Sequence, residues 1–249
     1  MDHLVYTAMS GAARTLEQQS VISNNLANVN TTGFRQQLSL YRAVPIVGQA
    51  GEHQTRASTL TTTPGSLMEQ GAMAETGDPL DLAIAGKGWF AVQTPQGEAY
   101  TRAGDFMISP DNMLVTATGL PVLSEDDQPM EVPERGSLTF SPDGTVTALG
   151  AGDNAADIQV LGRIKLVNPD ESALMHSDDG LFRLPDGQVA PADESVRVAQ
   201  GFIEKSNVNP AEAMVGLIAN ARRFELQMKL IADASSNAER ANGILSAGT

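Results

Sequence analysis

The chain has 249 residues, 41% hydrophobic and 18% charged, enough to bury the core of one large or two modest domains. It contains no cysteine, which excludes a disulfide framework, a thiol nucleophile and a cysteine zinc site. The formal charge of -14 sits in the middle: residues 1–35 set Asp2 and Glu17 against Arg14 and Arg35, residues 204–249 balance five acids with five bases, and the segment between holds 23 acids and nine bases. An acidic centre with neutral ends argues against nucleic acid and against insertion into or binding to an anionic membrane.

The N-terminus opens with Asp2 and reaches Arg14 and Glu17 before any long apolar run, unlike a cleaved secretory signal, and no stretch is long enough to span a bilayer. Cytoplasmic residence, or export without a cleaved signal, is the expectation. Val5, Met9, Ala12, Leu16, Gln19, Ser23 and Leu26 follow one another at steps of four and three, with Ala8, Ile22 and Val29 widening the stripe, which predicts a helix. Its end is crowded with Asn24, Asn25, Asn28 and Asn30, a residue type whose amide competes for backbone partners and favours caps and turns. Gly33 fits the left-handed position that closes a helix, with Phe34 set to touch Val29.

Residues 36–75 mix Gly, Pro, Thr and polar residues without a lasting period and read as an extended connector. From 76 to 203, short β-like runs alternate with turn signals: "LDLAIA", "WFAVQ" before "TPQG", "AYTR", "NMLVTA", "LTF" before "SPDG", "IQVLGRIKLV", and "LFRL" before "PDG". This pattern predicts antiparallel strands in a barrel or sandwich-like domain.

A second helix is announced by Asn209 as cap, Pro210 in its first turn and Glu212 to complete a capping box. Met214, Leu217, Ala221, Phe224, Met228, Ile231, Ser235, Ala238, Asn242 and Leu245 then alternate steps of three and four, a heptad seam. Asn207, Asn209, Asn220, Asn237 and Asn242 with many alanines make this a small, polar, uncharged surface, suited to close helix approach. The fold class expected is α+β: long N- and C-terminal helices forming a coiled-coil layer from residues 1–35 and 204–249, with an inserted all-β domain over 76–203. An ordinary core helix packed on the β domain is the plainer alternative for the same stripe.

Residue chemistry offers little to catalysis. His3, His53 and His176 share no helix turn and no paired ligand spacing, so no metal site is expected. "AGKGWF" (85–90) lacks the third glycine and the following helix of a dinucleotide loop, and no cofactor is expected; Trp89 and Phe90 read as core. "SEDDQPMEVPE" and "HSDDG" lack a calcium-loop pattern, and no G-x-S-x-G elbow or triad is marked. An enzyme or glycan-binding β domain with helical anchors, one acting on peptidoglycan, stays open, because paired carboxylates are brought together in space rather than in sequence.

Three ordered blocks resemble one family. "SGA" (10–12) and "NNLANVNTTGF" (24–34), then "DPLDLAIAGKGWFAV" (78–92), "YTRAGDF" (100–106), "LVTATGLPVL" (114–123) and "DGTV" (143–146), and finally "EKSNVNPAEAMVGLIANARRFE" (204–225) are similar to the bacterial flagellar rod and hook proteins, the axial family. The opening "MDHLVYTAMSGA" is nearest its proximal rod branch, with distal rod and hook siblings as alternatives. Asn112 and Met113 stand at a turn that the family often fills with glycine, and residues 149–200 carry no motif of the family. The resemblance implies a structural, noncatalytic subunit of the basal-body rod that leaves through the flagellar export apparatus and stacks helically in the periplasm with copies of itself and other rod proteins. The residues expected at subunit interfaces are Val5, Met9, Ala12, Leu16, Ile22, Asn24, Asn25, Leu26, Asn28, Asn30, Gly33 and Phe34, with Asn207, Asn209, Met214, Leu217, Ala221, Phe224, Met228, Ile231, Ala238 and Leu245.

Overall fold

The computed structural model describes residues 2–45, 57–133, 136–150, 158–177 and 179–247. Helix α1 spans Asp2–Ala27 and helix α2 spans Pro210–Ala247. Between them, in chain order, run strands β1 (Gln37–Pro45), β2 (Ala57–Ser66), β3 (Met73–Glu75), β4 (Leu82–Ala85), β5 (Trp89–Thr94), β6 (Gly97–Thr101), β7 (Phe106–Ile108), β8 (Leu114–Thr116), β9 (Gly136–Phe140), β10 (Thr145–Gly150), β11 (Gln159–Arg163), β12 (Leu166–Val167), β13 (Met175–His176), β14 (Phe182–Arg183), β15 (Arg197–Gln200) and β16 (Phe202–Glu204). The protein is α+β, and every strand pairing among the described residues is antiparallel.

The chain divides into two units. The helical unit comprises residues 1–27, 37–66 and 209–249, and the β unit comprises 28–36 and 67–208. The sequence reading ended α1 at Gly33; it stops at Ala27, because Asn28 starts a turn in which its carbonyl accepts from the Thr31 N–H at 3.2 Å and its side chain accepts from the Thr31 hydroxyl at 3.1 Å. The cap of α2 forms as expected: Asn209 Oδ1 accepts from the Ala211 and Glu212 amides at 3.0 and 3.4 Å. Within the expected connector, residues 37–45 and 57–66 are paired strands. β1 and β2 form a ladder from Gln37↔Ser66 to Pro45↔Ala57 with a shift between Leu38 and Leu40, a pairing that leaves little signature in β2, where Thr, Ser, Gly and Pro replace an apolar alternation. Residues 46–56 of the expected connector, with His53, lie outside the described residues.

In the β unit, β12, β5, β6, β14 and β13 form one sheet in that order, β11, β10 and β9 another, and β15–β4, β16–β3 and β7–β8 are two-stranded. β5 shows why "WFAV" is apolar without alternation. Phe90 and Val92 enter a core with Leu82, Ile84, Leu114, Val122, Phe140, Val146 and Leu166, while Trp89 and Ala91 enter a second core with Tyr100, Val167 and Phe182. A strand buried on both faces needs no polar side. The run "IQVLGRIKLV", read as one strand, is two, β11 and β12, in different sheets. Lys165 lies between them, buried, and its ammonium pairs with Glu98 at 2.8 Å and with Asp127.

Candidate assembly surface and chain junction

Within the helical unit, α1 and α2 pack antiparallel: Asn220 Nδ2 donates to the Thr15 carbonyl at 2.7 Å, Thr15 Oγ1 lies 3.0 Å from Gln227 Oε1, and Gly216 lies against Ile22 and Gly11 against Gln227. The covered stripe of α1 runs through Val5, Ala8, Ala12, Thr15, Gln19, Ile22 and Leu26, and that of α2 through Ala213, Leu217, Asn220, Phe224, Gln227, Ile231, Ala234 and Ala238. The residues of the expected seam therefore divide between the covered stripe and the exposed surface. Val5, Ala12, Ile22, Leu26, Leu217, Phe224, Ile231 and Ala238 are covered or partly covered, whereas Met9, Leu16, Met214, Ala221 and Met228 are exposed.

The physical reason lies in the heptad. Residues that follow the seam at steps of three and four can be completed on either flank of the central stripe. Here the flank 8, 15, 22 with 213, 220, 227, 234 is covered, and the flank 9, 16, 23 with 214, 221, 228, 235 is bare. Close approach favours the first, because Gly11 and Gly216 have no side chain to hold the helices apart. Thr15 and Gln227 escaped the sequence reading, whereas Asn220 lies on the surface that the sequence marks as suited to close helix approach. The side chain of Leu245 lies outside the described residues.

The asparagines separate. Asn25 is buried and bonds within the chain, donating to the Gln37 carbonyl at 2.9 Å and accepting from the Gln37 N–H at 2.8 Å, so it docks β1 on α1 and is not available to a partner. Asn24 and Asn30 are exposed, as is the capping Asn209, and Asn28 is spent in the turn after α1.

Gly33, Phe34 and Asn207 fall in the β unit, where three passages of chain, 33–36, 67–72 and 204–207, are bound together. The Gly33 N–H donates to the Glu204 carbonyl at 2.7 Å, the Asn207 N–H to the Phe34 carbonyl at 3.3 Å, the Leu67 N–H to the Gln36 carbonyl at 2.8 Å and the Lys205 N–H to the Ala72 carbonyl at 2.9 Å. Asn207 adds side-chain bonds: Oδ1 accepts from the Gln36 N–H at 2.7 Å, and Nδ2 reaches the Leu67 and Glu69 carbonyls at 2.9 Å each. At the centre lies Glu204, fully buried, between Arg35 at 2.6 Å and Arg102 at 3.0 Å, and its Oε1 also accepts from the Gly71 N–H at 2.9 Å. Arg35 further donates to the Glu69 carbonyl. Both guanidiniums lie over Trp89, 5.7 and 5.4 Å from its centroid, and Trp89 packs on Phe182 at 4.6 Å. Burial pulls Arg102 down to about 10, against the opposing pull of Glu204, and lowers Arg35 likewise. Two cations and one anion out of water are held by geometry, hydrogen bonds and the aromatic face. No local pattern flagged Arg35, Arg102 or Glu204.

A cleft of about 450 Å³ in the β unit is lined by Asp170, Gln188, Asp193 and Glu194, among others. Asp170 is held below the usual carboxylate range by the Ser172 amide and hydroxyl, and Asp193 by Ser195, the opposite of what a general acid requires. Among the described residues no group of three or more His, Asp or Glu side chains is placed to hold a metal, and no helix is long and apolar enough to cross a membrane.

The chain is α+β, with its end helices paired and the passages 33–36, 67–72 and 204–207 bound together within the β unit. Family models agree along the chain: one described as "Flagella basal body rod protein" matches residues 5–35, one as "Flagellar hook protein FlgE/F/G D1 domain" residues 83–148, and one as "Flagellar basal body rod FlgEFG protein C-terminal" residues 199–244. The chain belongs to the flagellar basal-body rod protein family. It is 46% identical to the flagellar basal-body rod protein FlgF of Salmonella typhimurium, over 99% of both chains. It is 34% identical to FlgF of Caulobacter vibrioides over 93% of both, and 30% identical to FlgG of a Buchnera aphidicola strain over 85% of this chain and 88% of that one. It is a FlgF-like structural subunit of the flagellar basal body rod and assembles with other axial proteins.

Proposed function

We propose that this subunit belongs to the proximal rod, that it polymerises helically with copies of itself and neighbouring axial proteins, and that it transmits torque without catalysis. The helical unit is the assembly element, its two helices forming a coiled-coil layer, and the antiparallel sheets of the β unit form a sandwich-like body. Delivery through the flagellar export apparatus, in a chain without a cleaved signal, completes the reading. The observation that carries it is the bare flank of the helix pair, where large apolar side chains, Met9, Leu16, Met214 and Met228 among them, are about half exposed along one side, the kind of surface that protein–protein contacts use. Val5, Ala12, Ile22, Leu26, Leu217, Phe224, Ile231 and Ala238 support this surface from beneath, and exposed Asn24 adds an amide contact on α1.

In cells whose own copy is replaced, the double substitution Leu16→Glu with Met228→Glu is expected to abolish swimming. The purified variant should keep the thermal unfolding of the original chain, because both positions face solvent. Normal swimming by the double variant would refute the assignment of this surface.

A further inference from the structure

The buried junction of the β unit holds more hydrogen-bond donors than the chain's own acceptors engage. Arg35 commits Nη1 to Glu204 and to the Glu69 carbonyl. Arg102 commits Nη1 to Glu204 and Nη2 to the Gly86 carbonyl at 2.7 Å. Arg35 Nε and Nη2 and Arg102 Nε have no hydrogen-bond partner among the described residues, although all three are shut off from solvent. A buried charged donor without an acceptor is more costly than a neutral one.

Charge points the same way. Arg35, Arg102 and Glu204 sum to one positive charge where water is excluded, and burial acts against it, lowering both arginines despite Glu204. Glu171 also attracts both arginines, but its side chain is 41% exposed and pairs with Lys87 at 3.0 Å, so solvent weakens its pull. The free donors of Arg35 are matched to an anion: Nε and Nη2 share one edge of the guanidinium and donate in parallel, the fork that grips an oxyanion. Arg102 bonds the carbonyl of exposed Gly86, which sets the cluster just beneath the surface, within reach of an ion from solvent.

We propose that the β unit binds one small monovalent anion at this junction, held by the Nε–Nη2 edge of Arg35 and by Arg102 Nε. A single negative charge neutralises the cluster. The burial of Arg35, 1% exposed, limits the ligand to a few atoms, a halide or a planar oxyanion of formate's size rather than a phosphate group. Its donors come from distant parts of the chain, so only the folded unit offers the site, and the ion stabilises that unit by mass action. It joins Glu204 in fastening the passages 33–36 and 204–207.

Trp89 reads the site directly, being the sole tryptophan, 3% exposed and 5.7 and 5.4 Å from the two guanidiniums. Bromide, a heavy-atom quencher, is titrated into the full chain at constant ionic strength against gluconate, an anion too bulky for the site. Quenching should follow a saturating curve that chloride reverses. In urea unfolding followed at Trp89, chloride or formate at ten times its dissociation constant should raise the folded-to-unfolded ratio about tenfold over gluconate, and the stronger of the two names the ligand class. Arg35→Lys keeps a cation for Glu204 but loses the fork; with native far-UV circular dichroism, it should lose both responses, and Arg102→Lys, which removes Nε, is the second variant should the first not fold. Quenching that rises linearly, or that saturates equally in the lysine variants, would overturn the proposal, as would a urea midpoint indifferent to both anions. Glu171→Gln should bind bromide as the original chain does, and a response confined to Glu171→Gln would overturn the site by making Glu171 the counter-charge.

Discussion

Glu204→Gln keeps the shape of the side chain at the junction and removes its charge. In the protein, the two carboxylate oxygens accept from Arg35, Arg102 and the Gly71 N–H. A glutamine retains one acceptor and turns an NH2 toward a donor, while both guanidiniums stay buried without a counter-charge. Removing one partner of a buried ion pair costs about 3–5 kcal/mol. For a unit of this size, each kcal/mol lowers the midpoint by roughly 2–4 °C, so the β unit should melt about 6–20 °C lower. Trp89 is the only tryptophan of the chain and lies beneath both guanidiniums, so its fluorescence reports this unit while far-UV circular dichroism weights α1 and α2. The triple variant Arg35→Met, Arg102→Met, Glu204→Leu, which replaces the network by apolar groups, should lose far less than the single change, since the cost lies in the orphaned charges rather than in the absence of a bridge. A Trp89-detected loss below about 1 kcal/mol for Glu204→Gln would refute the claim that this cluster binds the three chain passages.

Three further outcomes are expected. Gly33→Ala places a Cβ 2.3 Å from the Ala103 N and Arg102 C at a φ of +68°, so it should unfold the β unit far more easily than Gly77→Ala, where φ is +74° and no atom is within 4 Å; the control costs about 1–3 kcal/mol of backbone strain, and equal midpoints for the two would contradict the packing. Asn220→Leu removes a buried amide whose Oδ1 has no hydrogen-bond partner and should raise the stability of the helix pair by about 1 kcal/mol while loosening its register, with a lowered far-UV midpoint as the contrary result. Burial pushes the Tyr100 hydroxyl above its ordinary value, and its oxygen accepts from the Ala190 N–H at 2.7 Å. The unfolded chain then releases that proton near pH ~10 while the folded chain holds it, so stability present below that pH is lost as pH rises past it. Tyr100→Phe should flatten the alkaline fall in urea midpoint, and an identical fall in both proteins would count against it.

The sequence alone determined the two helices, part of the strands and the division of charge. Steps of three and four, a capping Asn209 and Pro210 are local facts, and they located α2 from its first residue; apolar runs between turn signals marked β4, β5, β6, β8, β9, β11, β12 and β14, and the axial resemblance of "NNLANVNTTGF" and "EKSNVNPAEAMVGLIANARRFE" reached the family. Which flank of a heptad stripe is covered is not local. Met9 and Ala8 are equally good continuations from Val5, and only the presence of α2 with Gly216 opposite Ile22 decides between them, leaving Met9 bare. The ladder of 37–45 with 57–66 and the splitting of "IQVLGRIKLV" at Lys165 likewise depend on partners elsewhere in the chain. The junction was invisible for the same reason: Arg102 and Glu204 are separated by 102 residues, and each would be an ordinary surface charge until the fold removes water and leaves them only one another.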